Sequence, residues 1–155
     1  MSTAVPYFDL TRQYEKLKNE LDTLLLQTAA SGRYVLGPAV EEFEKAFASY
    51  CGVPFGVGVG SGTDALAFSL RALGIKKGDE VIVPSFTFSA TVLCVLQADA
   101  TPVYADIDPE TYTLSPDSAE KVLTKRAKAI LPVHLFGQCA EMDALNALAK
   151  KRKLK

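Results

Sequence analysis

The sequence predicts an α/β domain in which a mostly parallel sheet is covered by helices on both faces. From about residue 54 onward, strand-like and helix-like segments alternate four times. The strand-like segments are short and largely apolar, a composition typical of strands that are buried on both faces. Two helical segments precede this alternating part. With 155 residues, of which 48% are hydrophobic, the chain can bury one compact core.

Two amphipathic helices are predicted in the first fifty residues. Apolar residues recur at steps of three and four between Tyr14 and Leu26, which indicates an amphipathic helix. The stretch "ASGRYVLGP" interrupts this pattern and connects it to the next helix. That second helix is expected to begin at Pro38, because the first turn of a helix tolerates proline, and to end at Gly52.

The alternating part contains four predicted strands, each followed by a predicted helix. The strands are "PFGVGVG", "DEVIVP", "TPVYADI" and "AKAILPVHL". The helices are "TDALAFSLRALG", "SATVLCVLQADA", "SPDSAEKVLT" and "AEMDALNALAKKRK". Gly74 is expected to end the first of these helices, and Ser115 is expected to cap the third.

The charge balance argues against a general attraction to polyanions. A formal net charge of −1 disfavours nucleic-acid and anionic-membrane partners. Five of the 17 basic residues nevertheless lie in the final "KKRKLK". Such a tail can bind a polyanion, or it can complement the dipole at the carboxyl end of a helix. We favour the second interpretation.

The sequence also limits the compartment and the kind of site. No stretch approaches the roughly 18 consecutive apolar residues of a membrane span, and the N-terminus lacks the features of a signal peptide, so we expect a cytoplasmic protein. Three widely spaced cysteines, which we expect to be ordinary buried or half-buried thiols, and one histidine supply almost nothing for a metal site.

A glycine-rich stretch, "GVGVGSGTDAL", lies between a predicted strand and a predicted helix. Its spacing fits neither of two familiar phosphate motifs, because Thr63 stands where GxGxxG needs glycine and no lysine follows Gly62. One interpretation is that the amides of Gly62, Thr63 and Asp64, with the Thr63 hydroxyl, bind a phosphate at the helix N-terminus. The other is that Gly60 and Gly62 make a tight turn. Thr63 or Asp64 would then merely cap the helix.

A second stretch, "PSFTFSATV", follows a predicted strand and places two aromatic residues at the carboxyl edge of the sheet. Ligands bind at this edge in α/β folds. Phe86 or Phe88 could stack on a flat ligand ring, or both could belong to the core, and the spacing does not choose between them. His134, in "PVHLFG", is a tempting catalytic candidate because histidine titrates near neutrality, but a structural role is the simpler interpretation.

Taken together, several stretches resemble the DegT/StrS type of nucleotide-sugar aminotransferases, which are pyridoxal-phosphate enzymes of the fold type I aspartate aminotransferase superfamily. The resemblance runs in order from about Pro6 to Leu154. The stretches that carry it are "PYFDLTRQYEKLKNEL", "GRYVLGPAVEEFEKAF", "GSGTDALAFSLRALGIKKGDEVIVPSFTFSATV", "PVYADIDPETYTL" and "AILPVHLFGQCAEMDALNALAKK".

The resemblance implies pyridoxal 5'-phosphate (PLP) as the cofactor. Gly62, Thr63 and Asp64 would hold its phosphate, and Phe88 would stack on its pyridine ring. His134 would lie near the cofactor without being the essential base. The chain would comprise a helical segment and loop over residues 1–37, followed by an incomplete PLP-binding large domain over residues 38–155, with an apparently truncated sheet.

The resemblance further implies an amino-group transfer, typically from glutamate, to a keto sugar carried on a nucleotide, in a homodimer. The aspartate that pairs with the pyridine nitrogen and the lysine that anchors the cofactor lie beyond the counterpart of this chain in such enzymes. We therefore expect the N-terminal part of an enzyme, with no catalytic residue of its own and no turnover alone. Lys76 and Lys77 cannot replace that lysine because they lie in a predicted exposed turn.

Three other functions fit less of the sequence. A PLP-dependent sugar dehydratase has the same fold but replaces the anchoring lysine, a position beyond Lys155. A non-catalytic binding or regulatory module would keep only the phosphate cradle. A nucleic-acid binder would use the basic tail, and its affinity would fall steeply with salt.

Overall fold

The computed structural model describes residues 5–155, which form two compact units that meet in the sequence at Gly58 and Val59. The first unit contains helices α1 (Thr11–Ser31) and α2 (Pro38–Tyr50). The second contains strands β1 (Glu80–Pro84), β2 (Thr101–Ala105) and β3 (Ala127–Ile130), and helices α3 (Gly62–Ala72), α4 (Ala90–Gln97), α5 (Pro116–Lys121) and α6 (Met142–Arg152). The predicted division into residues 1–37 and 38–155 concerns the domains of a whole PLP enzyme and stays a prediction.

The two N-terminal helices form as predicted, and their ends have recognisable causes. Gly32 adopts a left-handed φ of 66° and ends α1, with its N–H donated to the Ala29 carbonyl. Helix α2 begins at Pro38, whose fixed φ suits the first helical position. Gly52, with φ also 66°, follows the end of α2 and turns the chain away.

A three-stranded parallel sheet forms the centre of the second unit. The strand order is β2-β1-β3, so β1 pairs on both sides. The outer edge of β3 pairs with the last residue of the chain: Ile130 N–H donates to the Lys155 carbonyl, and Lys155 N–H donates to the Lys128 carbonyl, each at 2.9 Å. The α/β class with a parallel sheet is confirmed.

Two apolar cores cover the opposite faces of this sheet. Val81 and Val83 point into a core with α3 and α4, whereas Ile82 points into a core with α5 and α6. All three side chains are fully buried. This explains why β1 is apolar from Val81 to Pro84 instead of alternating.

The predicted strand "PFGVGVG" is wrong: no strand is found over residues 54–60. The alternation of apolar residues is present, but a strand also needs a neighbour for its backbone groups. Here the N–H of Gly58 is donated instead to the Glu44 side-chain Oε1, at 2.6 Å. Val57 is 82% exposed. The second unit therefore holds three strand–helix pairs and begins directly with α3.

Two smaller expectations have mixed outcomes. All three cysteines are expected to be buried or half-buried, and Cys94 is buried, which raises the pKa of its thiol. Cys51 and Cys139 are exposed instead. Lys150, Lys151 and Arg152 of the basic tail lie in the last turn of α6, as the helix-end interpretation predicts. Lys151 and Arg152 also contact Glu120 of α5, at 2.9 and 3.0 Å, and so join the two helices.

Candidate functional site

The carboxyl ends of the three parallel strands meet at one edge of the sheet. The segments that leave this edge begin at Ser85 after β1, at Asp106 after β2 and at Leu131 after β3. In parallel α/β sheets, ligands bind outside this edge. The residues that gather at this edge therefore form the candidate site.

Helices α3 and α4 pack against each other, and a hydrogen bond joins their carboxyl ends. At their carboxyl ends, Arg71 Nη2 donates to the Gln97 carbonyl at 2.8 Å. Helix α4 leads from the carboxyl end of β1 back to the start of β2, so its N-terminus lies at the carboxyl edge of the sheet. The N-terminus of α3 lies at the same edge. The structure thus places Gly62, Thr63 and Phe88 at one end of the second unit.

The N-terminus of α3 is organised by Ser61, a residue that the sequence interpretation missed. Its hydroxyl oxygen accepts the Asp64 N–H at 3.1 Å and lies 3.0 Å from the Asp64 carboxylate, to which it can donate. The cap is therefore Ser61, not Thr63 or Asp64. The signal was present, because serine followed three residues later by an acidic residue is typical of a helix start.

This arrangement leaves two backbone donors of α3 available. Within the described residues, no hydrogen bond is found for the N–H groups of Gly62 and Thr63. Asp64 differs, because both its N–H and its carboxylate are engaged with Ser61. Two free N–H groups at the positive end of a helix dipole favour an anion.

Gly60 and Gly62 serve different needs. A Cβ on Gly60 would lie 2.9 Å from Asp64 Oδ2, so this glycine makes room for the carboxylate that Ser61 holds. Among the described residues, a Cβ on Gly62 would meet no atom within 4 Å, and the φ of Gly62 is not left-handed. Packing within the chain therefore does not require glycine at 62. The open space above its N–H suits the close approach of a phosphate.

The two phenylalanines after β1 differ in their surroundings. The Phe86 ring lies 6.2 Å from the Tyr112 ring, centroid to centroid, in a tilted pair. Phe88 is 75% exposed, against 49% for Phe86, and no aromatic partner is found for it among the described residues. Phe88 is therefore the ring that remains available to a flat ligand.

Polar groups at the ends of β1 and β2 form a second feature that sequence reasoning missed. Ser85 Oγ lies 3.4 Å from Asp106 Oδ1, and the same carboxylate oxygen accepts the N–H of Ile107 at 2.9 Å. The Asp106 N–H donates to Ser118 Oγ at 2.7 Å. A serine and an aspartate that each follow a buried strand were the available signal.

Asp108 stabilises the loop that carries Tyr112. Its carboxylate accepts the N–H groups of Thr111 and Glu110, both at 2.9 Å, and these bonds lower the pKa of Asp108. Tyr112 itself has a left-handed φ of 59°. The loop thereby holds the Tyr112 ring against Phe86.

The lysines considered for cofactor anchoring lie elsewhere. Lys76 and Lys77 are exposed in the turn that precedes β1, at the opposite edge of the sheet. Within residues 5–155, no group of three or more His, Cys, Asp or Glu side chains is placed to hold a metal ion. None of the helices in the described part is both long and apolar enough to cross a membrane.

Comparison with protein families gives a match over residues 15–155 to the DegT/DnrJ/EryC1/StrS aminotransferase family. The chain is 49% identical over 150 residues to the dTDP-3-amino-3,4,6-trideoxy-alpha-D-glucose transaminase of Streptomyces venezuelae, covering 97% of the chain and 40% of that relative. It is 44% identical over 147 residues to the UDP-2-acetamido-2-deoxy-3-oxo-D-glucuronate aminotransferase of Pseudomonas aeruginosa, covering 95% of the chain and 41% of that protein. The chain thus spans about 40% of the length of the curated relatives it matches.

Solved structures agree with these matches. The fold is similar to that of DesV from Streptomyces venezuelae, with a TM-score of 0.95 and 48% identity, over 99% of this chain and 41% of that one. It is also similar to NtdA from Bacillus subtilis, solved with bound cofactor PMP, with a TM-score of 0.92 and 37% identity, over 100% of this chain and 36% of that one.

Proposed function

Because the chain belongs to the DegT/DnrJ/EryC1/StrS aminotransferase family, we propose that it binds pyridoxal 5'-phosphate and forms part of a sugar aminotransferase. The proposed whole protein transfers an amino group, typically from glutamate, to a keto sugar linked to a nucleotide. The names of its relatives support this substrate class. The cytoplasmic location expected from the sequence, and residues 38–155 as a contribution to the PLP-binding large domain, belong to the same proposal.

One observation carries the proposal: two free N–H groups and one free aromatic ring lie at the same edge of the sheet. The N–H groups of Gly62 and Thr63, with the Thr63 hydroxyl, are proposed to hold the cofactor phosphate. Asp64 contributes by fixing the turn through its two contacts with Ser61. Phe88 is proposed to stack on the pyridine ring. When bound, the cofactor supplies the electron sink that amino-group transfer needs.

The lysine that anchors the cofactor and the aspartate that pairs with its pyridine nitrogen are proposed to lie outside this chain. Lys76 and Lys77 lie at the wrong edge of the sheet to anchor a cofactor bound at Gly62. We therefore propose that the 155-residue chain binds the cofactor without covalent attachment and does not turn over alone. Non-covalent binding without turnover would distinguish a cofactor-binding fragment from an enzyme whose catalytic residues all lie within these 155 residues.

A PLP titration of the 155-residue chain, followed by absorbance, tests the proposal. Phe88→Ala should weaken binding by about tenfold, since stacked aromatic contacts contribute of order 1 kcal/mol beyond the buried area. Phe86→Ala is the matched control and should change binding less than threefold, because the Phe86 ring contacts Tyr112. Equal effects of the two substitutions, or no binding at all, would contradict the proposed site.

Borohydride reduction followed by mass analysis tests the absence of an anchoring lysine. We expect no single lysine to be modified stoichiometrically. Stoichiometric reduction of PLP onto one lysine within residues 1–155 would contradict the proposal, and would mean that the chain contains its own anchor.

We also propose that the protein acts as a homodimer. Phe43, Phe47 and Tyr50 form an exposed aromatic ladder on α2, with ring centroids 5.5 and 6.3 Å apart. Exposed apolar clusters of this kind are typical of protein interfaces. A second copy of this chain is the proposed occupant.

A further inference from the structure

The loop after β3 lies at the same edge of the sheet as the proposed cofactor site. Leu131 N–H donates to the Ile82 carbonyl at 2.9 Å, which continues the pairing of β3 with β1 by one residue. His134 follows three residues later, as the chain leaves the carboxyl edge. The loop returns to the core at Ala140, which is buried among residues of α5 and α6.

One hydrogen bond closes this loop. His134 Nδ1 accepts the N–H of Ala140 at 3.1 Å. An accepting Nδ1 carries no proton, so the neutral ring carries its proton on Nε2. No partner for Nε2 is found among the described residues. The ring is therefore held by one nitrogen and offers a donor at the other.

The loop inside this closure is strained. Phe136 and Gly137 both have left-handed φ, at 54° and 83°. A left-handed φ such as that of Phe136 costs conformational free energy in a residue other than glycine. Burial of the Phe136 ring does not offset this cost, because the side chain is 88% exposed. Two short turns, Gly137 N–H to His134 O and Gln138 N–H to Leu135 O, complete the closure.

We propose that His134 is a positioning residue of the cofactor site. Through Nδ1 it holds the loop over residues 134–140 in its strained form, and this loop forms a wall of the site at the carboxyl edge of the sheet. This inference rests on the proposed function, because it takes PLP as the ligand at that edge.

Two substitutions separate the role of Nδ1 from that of the ring. In His134→Asn the amide oxygen can replace Nδ1 as the acceptor of the Ala140 N–H. In His134→Gln the amide lies farther out, near the position of Nε2, and cannot make that bond in the same geometry. The asparagine variant should therefore keep a hydrogen bond to the Ala140 N–H and so preserve the loop conformation, and the glutamine variant should lose both.

Three measurements on the 155-residue chain test the inference. In the ¹⁵N spectrum of the unmodified chain, Nδ1 of the His134 ring should carry no proton, because it accepts the Ala140 N–H. Hydrogen exchange at Ala140 should be at least tenfold faster in His134→Gln than in the unmodified chain, and close to the unmodified rate in His134→Asn. PLP affinity should follow the same order, with a loss of at least threefold in His134→Gln and a smaller loss in His134→Asn.

The three measurements test the loop closure, the effect on ligand binding and the positioning role separately. An Nδ1-protonated ring, or unchanged Ala140 exchange in His134→Gln, would overturn the loop closure. Faster exchange with unchanged PLP affinity would overturn the role in ligand binding. Equal loss of affinity in both variants, with Ala140 still protected in His134→Asn, would mean direct contact instead of positioning. Absence of PLP binding by the unmodified chain would overturn the proposed function and the ligand role of His134 together.

Discussion

Arg126 Nη2 lies 2.6 Å from Glu80 Oε1, and this ion pair ties the residue before β3 to the first residue of β1. The Glu80 side chain is 4% exposed, whereas that of Arg126 is 71% exposed. Thr124 donates its hydroxyl to the other carboxylate oxygen, Oε2. A buried carboxylate with two partners thus holds the edge of the sheet opposite the proposed cofactor site.

Glu80 is expected to make the stability of the chain sensitive to acid. The hydrogen bond from Thr124 lowers the pKa of Glu80, helped by Arg126 and opposed by burial. Because the folded pKa lies below the ordinary value of 4.5, the stabilisation is fully present above that pH and is lost as pH falls through the folded pKa. Glu80→Gln should lower the free energy of unfolding at pH 7 by about 1–3 kcal/mol. It should also flatten the loss of stability below about pH 4.5.

Urea unfolding at pH 7 and at lower pH measures this effect. Glu120→Gln is the control, because Glu120 pairs with Lys151 and Arg152 on the surface. An exposed pair of this kind contributes little to the free energy of unfolding. An effect of Glu80→Gln no larger than that of Glu120→Gln would refute the structural importance of the buried carboxylate.

Glycine at position 62 is predicted to serve the ligand and not the fold. In Gly62→Ala the added methyl meets no atom of residues 5–155 within 4 Å, and alanine favours the helix by up to about 1 kcal/mol. The unfolding free energy should therefore stay equal or rise. PLP affinity should fall at least tenfold, because the methyl occupies the space above the free N–H groups.

Gly60→Ala should behave in the opposite way. Its methyl would lie 2.9 Å from Asp64 Oδ2 and would push the carboxylate away from Ser61. We expect a loss of about 1 kcal/mol, comparable to the loss of a helix cap. Calorimetry and PLP titration of both variants measure the contrast. A destabilised Gly62→Ala variant with normal PLP affinity would show that position 62 serves the fold after all.

Ser61 is predicted to affect both stability and anion binding. Ser61→Ala removes the acceptor of the Asp64 N–H, which should cost about 1 kcal/mol. It also frees the Asp64 carboxylate beside the proposed phosphate site, where a second negative charge would repel the ligand. PLP affinity should therefore fall in Ser61→Ala and recover in part in the double variant Ser61→Ala, Asp64→Asn. No recovery in the double variant would exclude this repulsion.

The success of the sequence interpretation depended on how local each signal was. The start of α2 at Pro38 and the capping of α5 by Ser115 match the predictions. Both could be predicted because turn and cap chemistry depends on a few adjacent residues. The strand in "DEVIVP" is predictable because two acidic residues lead into a continuous apolar run. These elements could be predicted without knowing what packs against them.

The failures involve partners that are distant in the sequence. Residues 54–60 alternate like a strand, but alternation does not supply a neighbouring strand. The bond from Ala140 to His134 could not be predicted, because it depends on the path of a loop with two left-handed residues. The choice of Phe88 over Phe86 came from resemblance alone, and the Tyr112 ring supplies a physical reason for it.

The aromatic ladder of α2 is predicted to mediate self-association. A double substitution, Phe43→Gln and Phe47→Gln, removes two of its three rings while keeping residues that favour helix. Sedimentation should show the unmodified chain as a dimer or larger species at micromolar concentration, and the variant shifted toward monomer. Phe68→Gln is the control, because Phe68 is exposed on α3 and lies outside the ladder. Circular dichroism should show equal helix content in all three proteins. A stable monomer for the unmodified chain, or an equal shift in the control, would contradict the proposed dimer surface.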